Sequence, residues 1–535
     1  MISLNYFGDS KYGAIGIDHF IRTYGIFSND NNLFINIRCD RREFLNENLN
    51  FNININSSIE NKNIKDIIYN SIYIFEQLKN LKTPSEFINT IPCISVDKNC
   101  ITINIDIFYF IGEILTGSLE SFWKSISISE KEKLGKVPFI DIYERMLFLI
   151  LLYAFREQGQ PFVNKSFWPG KSFAVCLTHD VDEVKKTYQW VTRPFMYLKK
   201  KQLIKGQLYS FWHKLHGREP YWTFDEIMKI EGKLNVRSSF YFLREKSKTK
   251  LFSPNTWKLL GRRYNFNNPK IRQIMKQLYE GGWEVGLHGS YESYHNPGML
   301  EKEKIELQSA LGHKISGIRQ HHLNIDIPKT WEYQEKTGLK YDTTLGFKDG
   351  MGFRGGTSLP FHPYSAQKEL NLLEIPLAIM DTPLFKCEKK QLSENFEEMV
   401  RTASILGGGL TLLWHHAVFN NHEFPGWSAA YEGIIEHSRK KDGWVTKASE
   451  ISEWFRWREK AIIEWDYRGN CLRISPTPKE SIHYLDIFLP DKISINKITN
   501  AEIVKKNKDS AIIRTNILEN DDCVKIEFSE LQNGT

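Results

Sequence analysis

Two aspartates spaced i and i+2, Asp180 and Asp182, follow the apolar run Phe173-Ala174-Val175-Cys176-Leu177, with His179 beside the first. The run reads as a short buried strand, so both carboxylates arrive at its C-terminal end, where α/β folds build sites. One carboxylate of such a pair can hold a divalent ion while the other takes a proton from water. An acidic turn after a strand also serves as a helix N-cap, so the pair alone is weak evidence. Other expected strands end in the same way: His288 follows 283–287, Arg319 follows 315–318 and His415 follows 409–414. Glu292 and His295 stand at i+4 and i+7 from His288. They share its face if a helix or turn begins there, and the spacing suits ligands of a first-row divalent metal. A lone histidine after a strand is usually structural; two Asp, a His, an Arg and a second His, each after its own strand, are harder to set aside.

The elements that must position these residues can also be read from the chain. From about 171 to 460, strands such as 238–243 and 409–414 alternate with helices, which implies parallel pairing and a barrel. Residues 1–165 read as a separate mixed α/β domain: 33–38 and 101–107 alternate at period two, while 64–81 and 140–157 have helical spacing. Residues 461–535 return to short alternating segments, expected to form a small β-sandwich that binds carbohydrate or caps the fold. Between the first two barrel strands, 187–222 interleaves basic and aromatic residues. It is either a solvated helical excursion or a surface for anionic lipid or a lipid-linked glycan.

A chain of 535 residues fits roughly three domains, and a net charge of +7 gives no reason to expect nucleic acid as a partner. The N-terminus lacks the charged start, apolar core and cleavage site of a secretory signal, and the longest apolar stretch, 146–154, is too short to span a bilayer. A cytoplasmic location is expected. The seven cysteines are scattered and form no CxxC, which fits reduced thiols.

Thr178-His179-Asp180-Val181-Asp182 resembles the acidic strand-end motif of the polysaccharide deacetylases, carbohydrate esterases with a distorted (β/α) barrel. The resemblance covers roughly 171–440. It implies Asp180 as base and Asp182 as a ligand of a divalent metal, Zn first, with Co, Mn or Fe as alternatives. His288-Gly289-Ser290-Tyr291-Glu292 is similar to the family's His-Ser/Thr-x-x-His motif, which makes His288 a ligand but leaves Glu292 in the second histidine's place; His295 or Glu292 is the candidate replacement. Arg319 corresponds to the arginine beside the base. Leu412-Leu413-Trp414-His415 resembles the motif that carries the general acid, here His415. Tyr341-Asp342-Thr343-Thr344-Leu345-Gly346-Phe347 and Gly352-Phe353-Arg354-Gly355-Gly356-Thr357 resemble a subgroup of deacetylase-like proteins found with surface-glycan synthesis. Arg354, Trp414, Phe424 and Trp427 are expected to contact sugar, and Glu374 and Asp381 to support the site. The implied reaction is removal of acetyl from an N-acetylated sugar of a glycan or glycan precursor. The alternatives are hydrolysis of a non-sugar amide and a glycan-binding barrel without activity, the latter favoured by the missing histidine.

Overall fold

The computed structural model describes residues 2–6, 10–24, 35–39, 51–55, 63–81, 83–98, 100–199, 205–246, 259, 261–365, 368–385, 389–466, 471–475, 483–491, 493–515 and 524–530. Its centre is a parallel sheet in the order Leu373–Glu374, Tyr341–Asp342, Gly317–Gln320, Glu284–Gly289, Ser239–Leu243, Phe173–Val181, Gly409–Leu413 and Leu377–Met380. The two ends of that order are one stretch of chain, interrupted only by Ile375-Pro376. Pro376 has no N–H to give a ladder, but Ile375 and Leu377 donate to the Asp342 and Leu345 carbonyls, so the stretch spans both edges and closes a distorted barrel. Phe173–Val181 is buried along its whole length, as its unbroken apolar start requires. Gly443–Thr446 pairs with its first half and Ser239–Leu243 with its second, both opposite Gly409–Leu413.

The expected barrel strands are all present, with shifted ends. The first runs four residues past the apolar run, so Asp180 lies inside the strand and Asp182 just beyond it. The third continues through His288 to Gly289, so no helix begins at His288 and the face-sharing of His288, Glu292 and His295 does not arise.

N-terminal to the barrel, Ile2–Tyr6, Ile35–Cys39, Phe51–Ile55, Ile94–Asp97 and Cys100–Ile103 form a mixed sheet. Its helices pack into the same apolar core as the barrel, which runs from Ile15 to Phe455. Residues 33 and 34 lie outside the described residues. The C-terminal segment forms two four-stranded sheets around a separate core that includes Leu472, Leu485, Ile513 and Ile526. One of its strands, Phe162–Lys165, comes from before the barrel and pairs antiparallel with Tyr484–Phe488.

The insertion carries helices Gln189–Lys199 and Lys205–Leu215. The second buries Gln207 and Ser210 and exposes Leu208, Phe211, Trp212 and Leu215, an apolar stripe at i, i+3, i+4 and i+7. Lys200 and Lys201 lie outside the described residues. Among the described residues no helix is long and apolar enough to cross a membrane.

Candidate metal and catalytic centre

Strand pleating sorts the first motif. Thr178, Asp180 and Asp182 face one way and His179 the other. His179 is buried beneath the outer helices, with Nδ1 2.7 Å from the Trp414 carbonyl and Nε2 2.9 Å from Glu231. The inward side meets Arg319, which is fully buried. Its Nη1 donates to Thr178 Oγ1 and, at 2.9 Å, to Asp180 Oδ1, and its Nε and Nη2 are fixed by Thr343. Burial alone would raise the Asp180 pKa, but the charges of His288, Arg319 and His415 hold it below the ordinary carboxylate value.

Asp182, His288 and His321 bring one ligand atom each to within 4.8 Å of one another. His288 Nε2 lies 3.2 Å and His321 Nε2 3.7 Å from Asp182 Oδ1. The Nδ1 of each ring is occupied elsewhere, that of His288 by the Arg319 carbonyl at 2.8 Å and that of His321 by Glu245 Oε2 at 3.2 Å. Those partners place the proton on Nδ1 and turn both Nε2 lone pairs toward Asp182, the arrangement of metal-ligating histidines. Asp182 Oδ1 is buried and has no hydrogen-bond partner. Converging lone pairs and an unmatched carboxylate oxygen are stabilised only by positive charge. The set therefore fits a divalent cation.

His321 replaces the expected His295. His295 sits exposed on the short turn Ser293–His295, and neither it nor Glu292 joins the cluster. His321 owes its position to an unusual turn, because the next two residues, His322 and Leu323, both take left-handed backbone angles (φ 57° and 50°). Such angles cost side-chain-bearing residues about 1 kcal/mol or more each, and they cluster at functional sites.

Just past Gly409–Leu413, the strand paired with the one that carries Asp180, His415 donates its backbone N–H to Asp381 and holds its Nδ1 3.0 Å from the same carboxylate. Burial would lower the His415 pKa, but Asp381, with smaller help from Asp182 and Asp180, raises it to about 10, so the ring is a proton donor at neutral pH. Asp381 fills its expected supporting role. Glu374 supports the barrel wall instead: it accepts from Trp331 and the Leu345 N–H, and burial beside Asp342 pushes its pKa up.

The expected sugar contacts change more. Trp414 is fully buried. Trp427 stacks flat on Phe385, with ring centroids 3.9 Å apart, one helical turn beyond Asp381. Phe424 is buried against Trp427. Arg354 faces away from the cluster toward the N-terminal helices, forming a two-pronged pair with Glu120 at 2.8 and 2.6 Å. The whole 352–357 motif makes that contact. Phe353 N donates to the Gly135 carbonyl, Trp123 Nε1 to the Arg354 carbonyl and Ile140 N to the Gly356 carbonyl. A Cβ on Gly352 (φ 129°) would lie 2.2 Å from Gly135 O, and one on Gly356 (φ 74°) 2.5 Å from the Phe139 ring. These glycines exist for close approach between the two halves.

No family model and no curated protein matches the chain. Solved structures do. One is a Mycobacterium smegmatis protein assigned as a polysaccharide deacetylase, 19% identical over 55% of this chain and 93% of that one, with a TM-score of 0.37. The peptidoglycan deacetylase PdaC from Bacillus subtilis is 11% identical over 55% and 96%, TM-score 0.28. A CE4 family pseudoenzyme from Bacillus anthracis is 11% identical over 53% and 66%, TM-score 0.27. The likeness is to polysaccharide deacetylases. Two residues of the site were missed in the sequence: His321 and Glu245 each stand within two residues of a strand's C-terminal end, a position that could have drawn attention to them.

Proposed function

We propose that the chain is a metal-dependent hydrolase that removes acetyl from an N-acetylated sugar of a glycan or glycan precursor, in the manner of the polysaccharide deacetylases. The observation that carries this reading is the Asp182–His288–His321 cluster together with two dyads, Asp180 with Arg319 and His415 with Asp381. When bound by the three ligands, a Zn-like ion supplies Lewis acidity for the acetyl carbonyl and for a water. The protein supplies the proton traffic. Arg319 keeps Asp180 ionised and aimed, so that it accepts the proton of the attacking water. Asp381 keeps His415 protonated, so that it delivers a proton to the departing sugar amine. One water is consumed, the C–N bond breaks, and acetate and a free amine leave. Trp427, with Phe385 stacked behind it, is the aromatic we assign to the sugar face.

The reading is tested by metal analysis and acetate release from a panel of N-acetylated sugars. Expected are about one metal per chain, lost in Asp182→Ala, and a rate reduced about 10²–10⁴-fold in Asp180→Asn with metal retained. Failure of the wild-type chain to take up any metal after reconstitution would sink the proposal.

We also assign the exposed Leu208, Phe211, Trp212 and Leu215 stripe to contact with an anionic lipid surface where such a glycan is carried. Sedimentation with phosphatidylglycerol vesicles checks this: binding should be lost in Phe211→Ser with Trp212→Ser. Equal sedimentation of both proteins contradicts it.

A further inference from the structure

The space that the three ligands enclose is shared with an arginine. Arg262 Nη1 lies within hydrogen-bond distance of His321 Nε2 and is 2.9 Å from His322 Nε2. Its Nη2 is 3.6 Å from Asp182 Oδ2, and its Nε donates to Glu183 Oε1 at 2.9 Å. The side chain is only 13% exposed. Because Glu245 fixes the proton of His321 on Nδ1, Nε2 has a single lone pair, which either accepts from Arg262 or coordinates a metal. Asp182 offers its charge to the same two cations. A lysine so placed could lose its proton to make way for a dication. A guanidinium cannot, so it must move.

We propose that Arg262 is a built-in stand-in for the metal: it neutralises Asp182 and orders His321 when no ion is bound, and it competes with the ion for them. The proposal rests on reading Asp182, His288 and His321 as metal ligands. Glu183 makes the exchange possible. It already holds Nε of Arg262 and accepts from the Tyr188 hydroxyl, so the guanidinium has a fixed carboxylate to remain on after leaving His321. Metal affinity is then set by the difference between the ion and Arg262 in the same pocket. Apo stability is coupled to it in the opposite direction.

The test is calorimetric titration of the metal-free full chain with Zn²⁺, alongside melting curves with and without Zn²⁺, for the wild type, Arg262→Met and Arg262→Lys. Arg262→Met should bind Zn²⁺ on the order of 10–100-fold more tightly, melt lower than wild type without metal, and gain more from added Zn²⁺. Arg262→Lys should change in the same direction by less, and serves as the readout if the methionine variant does not fold. Unchanged or weaker Zn²⁺ binding in the variants, with equal loss of stability in the apo and loaded forms, would overturn the proposal and leave Arg262 a structural residue. Zn²⁺ binding by neither wild type nor variants overturns the metal reading itself, and this proposal with it.

Discussion

His415 and Asp381 give the most direct check on how single residues divide the work. Burial pulls the His415 pKa down, but Asp381 above all, with Asp182 and Asp180 adding to it, lifts it to about 10. A proton-donating His415 therefore persists through neutral pH and is lost only as pH rises through about 10. Asp381→Asn removes the opposing charge, so the alkaline limb of kcat/KM should fall toward the ordinary histidine value of about 6.5, with activity at pH 8 reduced about tenfold or more. A pH–rate profile in which the variant keeps the wild-type alkaline limb would contradict this. Asp180, Asp182, His288, Arg319 and His415 could be named from the sequence because each ends or follows an apolar run. His321 also stands at a strand end, but its place in the cluster depends on the two left-handed residues that follow it, and nothing in the spacing Arg319-Gln320-His321-His322 announces such a turn.

Strands show a similar division between what pattern carries and what contacts decide. Apolar runs buried on both faces located every long barrel strand. Pairs as short as Tyr341–Asp342 and Leu373–Glu374 leave no periodicity to read, and they exist because the neighbouring backbone offers partners. Inside the barrel, Gly317 lies opposite Tyr341, and a Cβ there would sit 2.0 Å from the ring. That ring's hydroxyl donates to Glu284 and meets Tyr241 at 3.1 Å. Gly317→Ala should push Tyr341 off Glu284 and cost about 1–3 kcal/mol in thermal unfolding. A melting temperature equal to wild type would mean that the barrel gives way there.

At the scale of the molecule, the 352–357 motif joins the barrel to the N-terminal helices, a role for Arg354 that sequence reasoning placed in the sugar site. Residue type alone gave no way to tell a sugar-binding arginine from one that pairs with Glu120 more than two hundred residues earlier. Arg354→Gln should therefore lower stability by about 1–2 kcal/mol while leaving KM for the acetylated substrate unchanged. An increase in KM without loss of stability would return Arg354 to the substrate. Gly356→Val, which meets the Phe139 ring, should be the more damaging of the two in melting experiments.

The strand Phe162–Lys165 also sets the order of events in time. It is made before the barrel, yet its partner Tyr484–Phe488 and the Ser166–Asp486 hydrogen bond lie about 320 residues further on. At 5–20 residues per second the ribosome needs roughly 15–60 s to supply that partner, longer than most single domains take to fold. For that interval the nascent chain carries an unpaired strand edge beside a barrel still being built. Yield should therefore respond to chaperone supply during synthesis, read as soluble protein made with and without extra chaperone.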